Sequence, residues 1–182
     1  MNPLAAYGLL AHGLIFGALV ALLPLGPLRA RAALIATALA LLVGIAPLMH
    51  GSFGPPSLTL LALALLQHSG HSPAPLNWRV ALGLLFFALI FYPPSLGWGS
   101  FDPYALGYQP DTLLAALAML AGLLYWRRQN LWLCILAIDL AAYASGLFAN
   151  LWDALFDPLL VLLALLVVGR QLLRRLIGSR IR

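Results

Sequence analysis

Seven apolar blocks follow one another along this chain, each about as long as a bilayer demands or a little shorter, with short polar connections between them. That repetition constrains the fold more than any motif. A hydrocarbon core of about 30 Å needs roughly 20 helical residues, and only helices or closed barrels satisfy the backbone inside it. With their flanks the blocks fall at 4–23, 32–49, 52–68, 79–96, 110–127, 131–149 and 157–174. Pro24, Gly26 and Pro27 end the first, and Pro55-Pro56-Ser57 sets the start of the apolar run in the third. In the fourth the apolar run stops before Pro93-Pro94. The third block is the least secure, and a re-entrant segment is its alternative. Only 8% of the residues are charged and 63% are hydrophobic, where a soluble domain carries about 25% charged residues. The expected fold is therefore an all-α integral membrane protein, one polytopic bundle of about seven transmembrane helices covering 1–182.

Charge placement then orients the bundle. All ten bases are Arg and all five acids are Asp. If every block crosses and the N-terminus lies outside, Arg29, Arg31, Arg79, Arg127, Arg128 and the five tail arginines all fall on the cytoplasmic side, as the positive-inside rule asks. Asp102, Asp111, Asp153 and Asp157 then fall outside. Omitting the third block breaks this alternation, so seven passes are expected, with the C-terminus cytoplasmic. The absence of Lys and Glu beside abundant Ala, Leu, Gly and Pro reads as a GC-rich coding bias. It points to a bacterial source, and hence to the inner membrane of a cell envelope. No Arg precedes the first block and no small-residue cleavage site follows it, so no signal peptide is expected. The net +5 is scattered over loops and a tail, which argues against a nucleic-acid partner. Past Gly169, RQLLRRLIGSRIR sets apolar residues at helical spacing between arginines, a helix end suited to anionic lipid.

Asp139 is the carboxylate that no loop can hold. One ionised side chain at mid-bilayer costs about 2.5–3.5 kcal/mol on insertion scales. Tyr143, four residues on, shares its helical face, and His12 lies mid-depth in the first block; both are candidate mates. Either Asp139 is a polar bridge to a neighbouring helix or a partner protein, or it is a proton or ion site.

The outer loops hold the remaining polar chemistry. PPSLGWGSFDPYALGYQPD carries Trp98, Phe101, Asp102, Tyr104, Tyr108 and Asp111, and the turn before the last block carries Asn150, Trp152, Asp153 and Asp157. Aromatic faces beside carboxylates suit a polar ligand such as the sugar of a lipid-linked glycan, or a partner subunit. The plainer readings are interfacial belt residues and, for Asp before Pro, helix N-caps. Short connections make helix pairs neighbours, so Trp98, Asp102, Tyr104 and Trp152 are expected to meet on one patch. Phe-Asp-Pro occurs at both 101–103 and 156–158, a faint echo of duplicated hairpins.

Other constellations fall short of a site. His68 and His71 lack a third ligand nearby, so no metal is expected. His12 and His50 sit at unequal depths, against a b-type haem, and no cofactor is expected. Cys134 reads as a structural thiol. Ala144-Ser145-Gly146 has no later His, zinc proteases need a Glu, and one membrane Asp makes no aspartyl dyad. No phosphate-binding loop is present. These residues point to a non-catalytic subunit or assembly factor of an envelope machine handling glycans or lipid-linked substrates. Its expected partners are membrane lipids and other membrane subunits. The alternative is a small carrier or lipid-modifying enzyme working through Asp139 or the outer Asp and aromatic loops.

Overall fold

The structure, a computed structural model, describes residues 2–23, 25–69 and 76–180, with backbone only for 177–180. His71 and Arg182 lie outside the described residues. Among the described residues, all regular structure is helical: α1 Pro3–Val20, α2 Arg29–Leu42, α3 Ile45–Phe53, α4 Leu58–His68, α5 Trp78–Ser95, α6 Asp111–Trp126, α7 Asn130–Ala144, α8 Leu151–Leu155 and α9 Pro158–Arg180. Short 3-10 turns occupy Gly26–Leu28 and Tyr104–Gly107.

Three stretches are long and apolar enough to cross a membrane: Pro3–Val20, Trp78–Ser95 and Leu151–Leu176. The block expected as one helix over 32–49 is two helices, α2 and α3, bent by 72°. Gly44 is the cause. Its φ of +85° is left-handed, closing α2 and opening α3. Pro47 then sits in the first turn of α3, where a missing N–H costs nothing. If the bent pair counts as one span, the total is four. The expected helix over 131–149 stops at Ala144, and α8 follows after a non-helical turn. Conversely, α5 runs through Pro93 and Pro94 to Ser95, forgoing the two i→i−4 bonds that N–H groups at those positions would donate to Leu89 and Ile90.

Helix α1 lies tightly along α2, the most extensive pairing in the bundle. Gly13 of α1 faces Leu41 of α2 and Gly17 faces Thr37 and the Ala33 carbonyl of α2, so a Cβ at either position would crowd that helix. Small residues four apart let two apolar helices approach at van der Waals distance, which lipid cannot do as well. Helix α4 is the hub, packed on α1, α7, α8 and α9. It has only 11 residues, about 16 Å of rise.

Ahead of α4, Gly54-Pro55-Pro56-Ser57 forms non-helical backbone that lipid would not tolerate unless protein satisfies it. Here it does. The Tyr7 hydroxyl donates to the Pro56 carbonyl at 2.9 Å, and His12 Nε2 pairs with the Gly54 carbonyl at 2.8 Å. Asp157 accepts from the Ser57 N–H at 3.0 Å, the Ser57 hydroxyl at 3.2 Å and the Leu160 N–H at 2.8 Å. The carboxylate thus caps α9 while holding the entry to α4, whose own cap is Ser57.

Candidate functional site

Asp139 is 1% exposed, so the polar bridge it makes is internal to this chain. Its Oδ2 accepts a 2.6 Å hydrogen bond from Thr59 of α4, and its Oδ1 has no hydrogen-bond partner. The expected mates are elsewhere. Tyr143 packs in an apolar cluster with Leu113, Leu117, Leu136 and Leu151. His12 holds the Gly54 carbonyl and stands edge-on to His50, ring centroids 6.0 Å apart.

Asp139 and Thr59 lie at the inner wall of a cleft of about 1000 Å³. Its origin is in the packing. Helix α5 is drawn onto α9 and α6 onto α7, while α5 packs closely on neither α6 nor α7. The walls are Val80, Gly83, Leu84 and Phe87 on one side and Leu113, Leu117, Leu120 and Leu124 on the other, with Ile135 and Leu136 behind. Gly83, Phe87, Ala116 and Leu120 are exposed, so the cleft opens on the flank of the bundle. One end is aromatic: Trp152 and Phe156 close it, with the Phe87 ring tilted at 5.7 Å from Trp152 and edge-on at 5.1 Å from Phe156. The other end is polar and basic, made by Asn77 and Arg79 at the start of α5, Arg127 just past α6 and Gln129 just before α7. The volume is at the upper end of small-ligand sites, about 300–1,000 Å³.

A second polar cluster ties the loop after α5 to the turn before α9. The Tyr104 hydroxyl donates to Asp153 at 2.8 Å, Asn150 donates to the Tyr104 carbonyl at 3.1 Å, and Trp152 Nε1 donates to the Pro103 carbonyl at 2.9 Å. Burial, and then the Asp153 hydrogen bond, push the Tyr104 hydroxyl above the usual tyrosine range. Gly107 fits against Asn150 and Trp152 with no space for a Cβ. Tyr104 and Trp152 therefore do converge. Their polar groups are taken by this chain's own partners, which makes the cluster a clasp between two turns.

Of the other outer residues, Trp98 and Phe101 stand apart from it, while Asp102 and Tyr108 touch its Tyr104. Trp98 is 79% exposed and Phe101 61%, and Trp98 makes no ring contact or hydrogen bond with Trp152 among the described residues. Asp102 is exposed and accepts from the Tyr104 N–H at 2.9 Å, a local turn bond. Tyr108 sets its ring edge-on to Tyr104 at 5.9 Å, and Asp111 begins α6, where an acid suits the helix dipole. Asp157, as described, is a cap. Cys134 is exposed on α7. Among the described residues no three potential metal ligands cluster.

Sequence reasoning passed over Thr59, Gly83, Arg79 and Arg127 as parts of one site. A usable signal existed only for Thr59, a hydroxyl inside an otherwise apolar run. The cleft itself arises from two helices failing to pack, which no local pattern encodes. No protein-family model, curated protein or solved structure matches this chain.

Proposed function

We propose that this is a multi-pass protein of the bacterial inner membrane, with seven passes and its N-terminus outside, whose cleft between α5 and α6 holds the hydrocarbon chain of a lipid or lipid-linked envelope substrate. It acts as a non-catalytic subunit or assembly factor that binds and presents that lipid. Three passes are full-length, α2 and α3 make a bent one, and the short α4 is sheltered by the helices around it.

The single observation that carries the reading is the open cleft of about 1000 Å³ with apolar walls. Helices joined by one connection ordinarily lie side by side, and a gap between them at membrane depth exposes apolar wall that water wets poorly. Large apolar cavities stay dry and take up apolar ligands. Hydrocarbon is the matching occupant. Trp98, Phe101 and Tyr108, exposed on one loop, favour a further element: a docking point for another membrane subunit on the outer face.

Purification in mild detergent followed by lipid extraction and mass spectrometry tests the lipid role. The wild-type chain should retain about one lipid species per molecule. Gly83→Phe should lose it, since a Cβ at Gly83 meets nothing within 4 Å and the ring enters the cleft without displacing backbone. Equal, non-selective lipid content in both proteins would contradict the role.

A further inference from the structure

The cleft is not uniform along its length, and its polarity defines a headgroup. Resting on the lipid reading above, we propose that its occupant is a lipid phosphate: a long apolar chain ending in a phosphate monoester, the phosphate held between Arg79 and Arg127. These two are the cationic residues among the cleft's lining, and the side chains beside them, Asn77 and Gln129, are neutral hydrogen-bonding groups. The acid that lines the cleft, Asp139, is nine residues past Asn130, the first residue of α7, about 13 Å of helix rise. An anionic group is therefore drawn to the end that carries Arg79 and Arg127.

Charge matching selects the monoester. Two guanidinium groups present two positive charges. A phosphate monoester carries about −1.5 to −2 at neutral pH, which two arginines neutralise, and its three free oxygens accept paired N–H groups. A phosphodiester with a cationic headgroup offers one negative charge and brings a positive one against the arginines. The start of α7, which carries no side-chain cap, also meets this end of the cleft and adds backbone N–H groups and a positive dipole end for an anion, whereas the start of α5 is already capped by Asn77. The aromatic end closed by Trp152 and Phe156 lies opposite, where only chain passes.

The test uses the full chain in detergent and the fluorescence of Trp132 and Trp152, both in the cleft lining. Three probes share one brominated sixteen-carbon-class chain: an alkyl phosphate, the corresponding alcohol, and the corresponding phosphocholine. Bromine quenches the indoles on binding. The alkyl phosphate should bind tightest. Arg79→Gln with Arg127→Gln should weaken it roughly tenfold or more, the loss expected when charge-assisted contacts go, and leave the alcohol unchanged. Unchanged alcohol binding also establishes that the variant is folded. Arg31→Gln with Arg174→Gln removes the same charge elsewhere and should have no effect. Equal binding of phosphate and phosphocholine, or a Gln variant that binds the phosphate like wild type, overturns the headgroup assignment while the cleft reading stands. Competition by inorganic phosphate at the alkyl phosphate's own concentration would reveal a free-anion site and overturns it too. Failure of all three probes to quench overturns both.

Discussion

Thr59 and Asp139, 80 positions apart in sequence, are joined by a 2.6 Å hydrogen bond that fastens α4 to α7. It is the polar contact that makes an acid affordable at the bundle centre. Asp139→Asn keeps the shape and a hydrogen-bonding oxygen, and should fold as wild type. Asp139→Leu strands the Thr59 hydroxyl and Thr59→Val strands the carboxyl, each costing about 1–3 kcal/mol. A thermal-unfolding double-mutant cycle should return a coupling of about 0.5–2 kcal/mol. Asparagine as damaging as leucine would refute the bridge.

Asp157 holds two helix starts at once, and its loss should cost more than a cap. Asp157→Ala removes the α9 cap, about 0.5–2 kcal/mol, and leaves the buried Ser57 N–H without its acceptor, about 1–3 kcal/mol more. Asp157→Asn retains acceptors and should recover much of this. Detergent thermal stability reads both. An alanine variant within 0.5 kcal/mol of wild type, on the order of a neutral surface change, would contradict the dual role.

At the outer clasp, Tyr104→Phe should destabilise by about 1.5–3 kcal/mol, a hydrogen bond to a charged group. The sign of its pH dependence follows from a hydroxyl held above its usual value of about 10. Folded protein keeps that proton more tightly than the unfolded chain. The contribution is therefore complete below pH 10 and lost as pH rises beyond it. Wild type should lose stability above pH 10 more steeply than Tyr104→Phe, and identical alkaline slopes would exclude the linkage. Gly107→Ala should disturb the same clasp, since its Cβ would overlap Asn150.

Seven passes with an outer N-terminus make a further prediction. A reporter active only in the periplasm should be silent when fused after Arg182 and active after Asp111. Activity at Arg182 would place the tail arginines on the wrong side and remove the basis of the orientation.

The helical, membrane character of the chain is legible in its apolar blocks, because burial in hydrocarbon leaves a compositional mark at every position. Asp139 is legible for the same reason inverted: a charge in such a run stands out. Its partner is not, since Thr59 is an ordinary hydroxyl until α4 folds beside α7. The helix break at Gly44 was also missed, because a glycine followed by Ile-Ala-Pro interrupts no apolar pattern although its φ of +85° turns the chain. The outer residues divide along physical lines. Tyr104, Asn150, Trp152 and Asp153 meet because two turns are clasped, whereas Trp98 and Phe101 share their composition but project outward. Loop chemistry can be read from sequence; which loop residues face each other depends on backbone geometry set elsewhere.

The central claim is that a lipid chain lies between α5 and α6. Photo-crosslinking tests it most directly, using a lipid with a diazirine in mid-chain, with the full-length protein in nanodiscs and labelled peptides mapped by mass spectrometry. The account predicts adducts concentrated on Gly83, Leu84, Ala116 and Leu120, the two walls of the cleft, and abolished by Gly83→Phe. Labelling spread evenly over outward residues such as Leu34, Leu89 and Leu166, all more than half exposed, with no excess in the cleft, would contradict it.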